Sequence, residues 1–240
     1  MKNKKFFYQQ YNKIDWQNQE KTKINFKIYN HISNIILGTH KENIAVFDIG
    51  FGIGAFFRVL SERLDNRYKS VVFEGCEPSK KNYEYFLDNK SKNKLNISLT
   101  THNETFLRTK TNTSFDFITA IYVFPHFDFS EAEEIVQKIY SMLQEGGRFI
   151  LVVANEKYLE DKLNAERDLF IERNTITYNG KDYKEVLHYS NLPKIGQIID
   201  YNREEAFYVD LFNHNGFTLE SKENIDDAGF IATLFIFKKA

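Results

Sequence analysis

The N-terminal part of the chain carries isoleucines at a helical spacing. Ile24, Ile28 and Ile32 follow one another at intervals of four residues, and Ile35 and Ile36 continue the stripe. This spacing places the apolar side chains on one face of an α-helix. Residues 1–42 are therefore predicted to form a mostly helical N-terminal cap.

From Ile44 onward, short apolar runs alternate with amphipathic segments. The alternation predicts helices at about 54–65, 79–89 and 130–144. The predicted strands are 44-IAVFDI-49, 70-SVVFEGCE-77, 95-LNISLTT-101, 115-FDFITAIYV-123 and 147-GRFILVVA-154. Strands that are apolar on both faces and separated by helices indicate a parallel sheet covered on both sides. We expect residues 43–154 to form this core.

The C-terminal part of the chain departs from the alternation. A helical segment at about 204–214 precedes two strands, 217-FTLESKENI-225 and 229-GFIATLFIFKK-239, which are joined by a tight connection. Strands joined so closely must run antiparallel, because a parallel pair needs a long crossover. Residues 204–240 are therefore predicted to form a helix and an antiparallel hairpin.

Residues 155–203 fit neither pattern. Within them, Asn179-Gly180 separates alternating β-formers in 175-TITYNGKDYKEVLHY-189. An Asn-Gly pair in this setting is a strong signal for a β-hairpin. We predict that residues 155–203 are a lid inserted between the core and the C-terminal hairpin.

The composition argues against several classes of protein. The 240 residues include 32 basic and 33 acidic side chains, so the formal net charge is −1. Nucleic-acid binding usually needs a concentrated basic surface, which this balance disfavours. Cys76 is the only cysteine, so no internal disulfide can form, and no apolar run approaches the roughly 20 residues needed to cross a bilayer. The expectation is one soluble, cytoplasmic domain without a nucleic-acid or membrane partner.

A cluster of glycines follows the first predicted strand. Gly50, Gly52 and Gly54 stand where the strand ends and a helix begins. Bare backbone at such a junction lets N–H groups approach a ligand closely, and the helix N-terminus favours anions and polar groups. With Ala55, these glycines also fit the G-x-G-x-x-A pattern of dinucleotide-binding loops, which alone is weakly specific.

Two acids beside the loop narrow the choice of ligand. Asp48, two residues before Gly50, would repel a pyrophosphate but would suit a cationic amine. Glu77 ends the second predicted strand, in the position of an acid that holds ribose hydroxyls. A ligand with an adenosine ribose and an ammonium group, but no phosphate, is S-adenosylmethionine.

At these residues the sequence resembles the class I S-adenosylmethionine-dependent methyltransferases. The resemblance covers 44–154 and, more loosely, the C-terminal hairpin. It is carried by the loop 47-FDIGFGIG-54, by Glu77 with Pro78-Ser79, by 116-DFITAIYVFPHF-127, by 143-LQEGGRFILVV-153 and by the closing antiparallel strand. It implies an α/β fold: a Rossmann-like, seven-stranded, mostly parallel sheet with one antiparallel C-terminal strand and helices on both faces.

The resemblance also implies which residues hold the cofactor. Asp48 and the glycine loop would line its methionine part, and Glu77 would bind its ribose. Asn103 or Glu104 would face the adenine, with an ordinary polar turn as the alternative. Tyr8 and Tyr11 would close over the carboxylate end, with packing or surface placement as the alternative. The implied contact set is Asp48, Gly50, Gly52, Gly54, Glu77, Pro78, Asn103, Glu104, Ala120, Ile121 and Tyr11.

Methyl transfer from a sulfonium needs alignment more than acid–base chemistry. Tyr122, after the fourth predicted strand, would present an aromatic face to the positive charge. His126 is the candidate that takes a proton from the acceptor, with a structural or helix-capping histidine as the alternative. This reaction requires no metal, so none is expected, and the absence of zinc, serine-hydrolase and Walker motifs argues against other catalytic schemes.

The acceptor itself is less defined. Polar residues of 188–205 are candidates, with a solvated connector and a helix N-terminus at Asn202 as the alternative. The candidates for acceptor contact are Tyr122, His188, Tyr189, Asn202 and Arg203.

A narrower similarity to histamine N-methyltransferase-like proteins rests on short matches at 77–79, 102–105 and 116–118. In those proteins a glutamine after the fourth strand contacts the acceptor, and Tyr122 stands in its place here, so histamine is not carried over. The expected function is transfer of a methyl group to a small molecule, preferably on nitrogen. Alternatives are an NAD-type oxidoreductase, a non-catalytic S-adenosylmethionine-binding protein and a protein-directed methyltransferase.

Overall fold

The computed structural model describes residues 22–39, 41–65, 68–90, 98–165, 170–192 and 196–240. Tyr8, Tyr11 and the side chain of Tyr189 lie outside what it describes. The helices are α1 (Lys23–Leu37), α2 (Ala55–Glu62), α3 (Lys80–Lys90), α4 (Phe129–Met142), α5 (Glu156–Ala165) and α6 (Glu205–His214). The strands are β1 (Asn43–Ile49), β2 (Ser70–Cys76), β3 (Ser98–His102), β4 (Phe115–Ile121), β5 (Leu143–Ala154), β6 (Phe170–Tyr178), β7 (Lys181–Leu192), β8 (Gly196–Arg203), β9 (Phe217–Asp227) and β10 (Phe230–Lys239).

The main sheet has seven strands in the order β3-β2-β1-β4-β5-β10-β9. Strands β1 to β5 pair in parallel, whereas β10 runs antiparallel to both of its neighbours, β5 and β9. The predicted mostly parallel sheet with one antiparallel C-terminal strand is confirmed. The strand order reverses between β1 and β4, and open α/β sheets bind their ligands outside the carboxyl ends of the strands at such a point.

Helices cover both faces of this sheet, as predicted. Successive side chains of β1 point to opposite faces, so that Val46 is buried with α1 and α2 while Phe47 is buried with α4 and α6. The predicted isoleucine stripe forms the buried side of α1, which packs against α2 and β9. Among the described helices, none combines the length and the apolar character needed to span a bilayer.

A short 3₁₀ turn, Phe124–His126, links β4 to α4. Helix α4 begins with a capping box, in which the Asp128 side chain accepts from the Glu131 N–H at 2.9 Å and the Glu131 side chain accepts from the Asp128 N–H. Reciprocal capping fixes the point at which a helix starts. The turn is thereby held between the end of β4 and the start of α4.

The described residues between 155 and 203 form α5 and a second sheet, in which β6, β7 and β8 pair antiparallel in that order. The hairpin predicted at Asn179-Gly180 is present between β6 and β7. Both turn residues have positive φ, +50° and +76°, as a type I′ turn requires. The Asn-Gly signal alone was therefore sufficient to place this turn.

The third strand of this sheet differs from the sequence-based alternative. A helix N-terminus was considered at Asn202, but β8 continues to Arg203 and α6 begins at Glu205. The physical reason is the pairing of β8 with β7. This pairing begins where Gly196 lies opposite Leu192 and continues until Arg203 lies opposite Glu185. This tertiary pairing overrides the weak local signal of the segment.

Candidate functional site

A cavity of about 360 Å³ opens at the carboxyl ends of β1 and β4. The glycine loop, the start of α1 and the residues after β4 line it. A smaller cavity of about 40 Å³ borders Glu77 and Pro78. Gly50, Val123 and His126 line both cavities, so the two are neighbours. The polar and aromatic residues of the larger cavity are Thr22, Asn25, Tyr29, Asp48, Phe51, Phe56, Tyr122, His126 and Phe230.

The glycine loop is wound so that its backbone lies close to neighbouring side chains. Gly50 and Gly54 have φ of +68° and +78°, in the region that favours glycine. A Cβ on Gly50 would lie 2.8 Å from a methyl carbon of Val123, and one on Gly54 would lie 2.4 Å from the Phe86 ring. Gly54 therefore serves the packing of α2 against α3, whereas Gly50 faces the cavities.

Asp48 places a carboxyl group in the wall of the larger cavity. Only 3% of the residue is exposed, and its Oδ1 accepts a hydrogen bond of 2.6 Å from the Thr119 hydroxyl. Thr119 is its register partner on β4. Burial, opposed by this hydrogen bond and reinforced by the nearby Glu77, raises the pKa of Asp48 to about 7. A cation bound in the cavity would favour the ionised form of this carboxyl.

Glu77 ties the end of β2 to the glycine loop. Its Oε2 accepts from the Gly52 N–H at 2.9 Å, and its Oε1 accepts from the Ser79 N–H at 2.7 Å. The residue is fully buried, and burial raises its pKa to about 7 although these backbone N–H groups act in the opposite direction. Each oxygen retains acceptor capacity, because a carboxylate offers about four lone-pair positions.

Tyr122 follows β4 with an unusual backbone. Its φ is +59°, and its N–H donates to the Val152 carbonyl at 2.9 Å. A bulky residue in this region costs about 1–3 kcal/mol and is typical of functional sites. Its hydroxyl is buried without a hydrogen-bond partner among the described residues, and burial raises its pKa. Its ring meets Phe230 edge-on, at 6.1 Å between centroids.

The second sheet reaches this site through β8. His126 Nδ1 lies 2.9 Å from Asp200 Oδ1, and His188 Nδ1 lies 4.0 Å from Asp200 Oδ2. The site thus has the carboxyl groups of Asp48 and Glu77 on one side. On the other side, the Asp200 carboxylate lies between the imidazoles of two histidines. Among the described residues, no group of three or more His, Cys, Asp or Glu side chains is arranged to hold a metal ion.

The family follows from a comparison of the sequence with known domains. The profile of a family described as methyltransferase domain matches residues 22–222. The chain belongs to this family. Together with the sheet topology, the match confirms the predicted class I S-adenosylmethionine-dependent methyltransferase. No curated protein matches the methyltransferase at a significant level.

Solved structures share the fold of this methyltransferase at low sequence identity. Magnesium protoporphyrin IX methyltransferase from Synechocystis PCC 6803, with bound SAM, has a TM-score of 0.68 and 11% identity over 100% of this chain and 98% of that one. N-methyltransferase NodS from Bradyrhizobium japonicum WM9, with S-adenosylhomocysteine, has a TM-score of 0.62 and 11% identity over 98% and 97%. 1,6-Didemethyltoxoflavin-N1-methyltransferase from Burkholderia thailandensis has a TM-score of 0.61 and 12% identity over 89% and 77%.

The structure brings most of the predicted cofactor residues of the methyltransferase together. Asp48, Gly50, Gly52 and Ile121 line the larger cavity, and Glu77 and Pro78 line the smaller one. Ala120 and Gly54 are buried beside them. All of these residues lie at or just after the carboxyl ends of β1, β2 and β4. Because these strands are parallel, their carboxyl ends meet at one edge of the sheet.

In the segment after β3, Asn103 and Glu104 contact neighbouring residues of the protein. The Asn103 amide donates to the Glu77 carbonyl at 2.8 Å, and Glu104 lies 3.9 Å from His102 Nδ1. Thr105 and Phe106, instead of these two residues, line the smaller cavity. Asn103 thus supports the backbone next to Glu77, which the sequence did not indicate.

Arg203 occupies a structural position that its predicted acceptor role did not anticipate. Its buried guanidinium donates from Nε to Glu185 Oε2 at 2.7 Å and from Nη2 to the Phe127 carbonyl at 3.0 Å. Because none of its side chain is exposed, Arg203 is not retained as an acceptor contact. Asn202 pairs with Val186 in the second sheet and is not among the residues that line either of the two cavities.

Several site residues were missed from the sequence. Thr119 stands beside Asp48 because β1 and β4 are neighbours in the sheet, a pairing that the order of the strands along the chain does not indicate. Tyr29 comes one residue after Ile28 of the isoleucine stripe in α1 and lines the larger cavity. Asp200 falls among the polar residues of 188–205, but its approach to His126 depends on the unpredicted strand β8.

Proposed function

We propose that this chain transfers the methyl group of S-adenosylmethionine to a small-molecule acceptor. When bound, S-adenosylmethionine supplies an electrophilic methyl group, and the electron pair of the broken bond stays on sulfur. The observation that carries the proposal is the buried carboxyl of Asp48 in the wall of an aromatic-lined cavity beside the glycine loop. Among the described residues no cationic side chain is paired with this carboxyl, which fits a ligand that brings its own positive charge.

The residues present fit the parts of this cofactor. Asp48 would hold the ammonium group, and Glu77 would hold the ribose hydroxyls with the acceptor capacity that Gly52 and Ser79 leave. Tyr122 and Phe230 offer aromatic faces, which stabilise a nearby cation by about 0.5–2 kcal/mol. Two solved structures of the same fold contain SAM or S-adenosylhomocysteine, which supports this assignment.

The acceptor side is formed by the residues after β4 and by the inserted residues 155–203. We place the acceptor next to Tyr122, with His126 taking its proton and His188 near the entrance. The inserted helix and sheet would act as a lid over this side. Nitrogen is the preferred target atom, and the N-methyltransferases among the structural neighbours support that preference.

The test is transfer of a labelled methyl group from S-adenosylmethionine to a panel of primary amines, nitrogen heterocycles, phenols and thiols. We expect label on nitrogen, with S-adenosylhomocysteine formed in equal amount, and loss of transfer in Asp48→Asn. Label found only on oxygen or sulfur would overturn the nitrogen preference. S-adenosylmethionine binding without transfer to any small molecule, with transfer instead to added protein, would overturn the small-molecule assignment.

A further inference from the structure

His126 stands where the two cavities meet the second sheet. Its imidazole lines both cavities, and its side chain is 15% exposed. On one side of the ring, Nδ1 lies 2.9 Å from Asp200 Oδ1. The two atoms are within hydrogen-bond distance but do not form a hydrogen bond of good geometry, and such contacts at reacting groups often tighten when a substrate binds.

The position of Asp200 is fixed by β8, which is anchored to the core three residues later. There the buried Arg203 bridges Glu185 on β7 and the carbonyl of Phe127, the residue next to His126. The turn Phe124–His126 and β8 are therefore joined at two points, by the Asp200–His126 pair and by Arg203. A carboxylate held in this way can set the orientation of an imidazole, because Asp200 lies within a paired strand and His126 within a turn that is fixed at both ends.

We propose that Asp200 is a positioning residue for His126, supplied to the active site by the inserted sheet. A carboxylate beside Nδ1 keeps the proton of a neutral imidazole on that nitrogen, so that Nε2 becomes the basic one. The inserted sheet then has a chemical role in addition to covering the acceptor. This inference rests on the proposed methyl transfer and deepens it.

The arrangement defines the class of acceptor. The acceptor's nucleophilic atom forms the bond to the methyl carbon, and the proton that this atom carried passes to Nε2 of His126 and then to solvent. A dyad of this kind accelerates only acceptors whose nucleophile must lose a proton, such as a hydroxyl or a primary or secondary amine. An acceptor without such a proton gains nothing from it.

The first test measures the tautomer of His126 by nitrogen-15 NMR in the ligand-free protein at about pH 8.5, where an ordinary imidazole is mostly neutral. His126→Gln assigns the signal. We expect the Nδ1–H form to dominate in the wild type and in Asp200→Glu, and the Nε2–H form to dominate in Asp200→Ala. The matched control is Asp182→Ala, an exposed acid of the same sheet that bonds only Thr177 among the described residues. The same tautomer in wild type and Asp200→Ala would overturn the proposal.

The second test separates proton transfer from a structural effect. Methyl transfer is compared between acceptors with a proton on the nucleophile (a phenol, a primary amine) and acceptors without one (a tertiary amine, a thioether). In Asp200→Ala, kcat should fall about tenfold or more for the first class only, while KM for S-adenosylmethionine stays within twofold. Equal losses for both classes would show that Asp200 acts through folding alone.

Failure of the proposed function gives a different result from failure of this inference. A protein that binds no S-adenosylmethionine in calorimetry, yet shows the expected tautomer change, would contradict methyl transfer and leave the Asp200–His126 pair intact. Normal binding of S-adenosylmethionine with an unchanged tautomer would contradict only the role of Asp200.

Discussion

The cofactor side and the acceptor side of this molecule are built in different ways. On the cofactor side, Asp48 and Glu77 stand at the ends of neighbouring parallel strands, and backbone N–H groups and one threonine hydroxyl satisfy them. On the acceptor side, the inserted sheet reaches the turn after β4 through side chains, with Arg203 and Asp200 making the decisive contacts. The first side depends on strand order, which the fold fixes, and the second depends on individual side-chain contacts, which single substitutions can remove.

The largest effect should come from breaking the anchor of the inserted sheet. Arg203→Met leaves Glu185 buried without its cation, and losing one partner of a buried ion pair costs about 3–5 kcal/mol. The free energy of unfolding of the second sheet should fall by that amount in denaturant titrations. The double variant Arg203→Met/Glu185→Leu should recover much of the loss. If Arg203→Met left the unfolding free energy unchanged, the proposed anchoring would be wrong.

The next effect separates affinity from stability on the cofactor side. Asp48→Asn removes the charge that would hold the ammonium group, so the affinity for S-adenosylmethionine should fall by about 2–4 kcal/mol, roughly 30- to 1,000-fold. The melting temperature at pH 8 should rise, because a buried ionised carboxyl is replaced by a neutral amide. Asp116→Asn, a buried carboxyl near the other end of β4, is the matched control and should leave affinity within twofold. A full-affinity Asp48→Asn protein would contradict the ammonium assignment.

A pair of glycine substitutions compares the two sides directly. Gly54→Ala combines a positive φ with a Cβ 2.4 Å from the Phe86 ring, whereas Gly180→Ala has a positive φ and open space. The expected losses of unfolding free energy are about 2–4 kcal/mol for Gly54→Ala and about 1–2 kcal/mol for Gly180→Ala. Equal losses in thermal melts would mean that the contact with Phe86 relaxes without cost.

The smallest effect is a pH dependence of stability. The pKa of Asp48 and of Glu77 is raised to about 7 in the folded protein, above the values near 4 of an unfolded chain. The folded state therefore binds these protons more tightly, and their contribution to stability is lost as pH rises through about 7. Between pH 6 and pH 7 the free energy of unfolding should fall by about 1 kcal/mol for each of the two groups, so by about 2 kcal/mol in the wild type and about 1 kcal/mol in Asp48→Asn. A flat or rising profile in the wild type would contradict the raised pKa values.

The same contrast explains what could be predicted from the sequence. Asp48, the glycine loop and Glu77 were predictable because their signals are local in sequence. Closely spaced glycines indicate backbone with positive φ, and an acid at the end of an apolar run indicates a polar group at the end of a strand. The Asn179-Gly180 turn is local in the same sense. By contrast, the Arg203–Glu185 and His126–Asp200 contacts join residues that are distant in sequence through β8, a strand that pairing with β7 stabilises. Asn103 was expected near adenine because it follows the third strand, and its amide nitrogen also donates to the Glu77 carbonyl, a contact that depends on the pairing of β2 with β3.

The most direct test of the account is calorimetric titration of the wild-type protein with S-adenosylmethionine, S-adenosylhomocysteine and NAD in parallel. Asp48 and Glu77 should select a ligand with a ribose and an ammonium group and should disfavour a pyrophosphate. We predict binding of the first two ligands in the micromolar range and no binding of NAD. Binding of NAD alone, or of none of the three, would contradict the cofactor site described above.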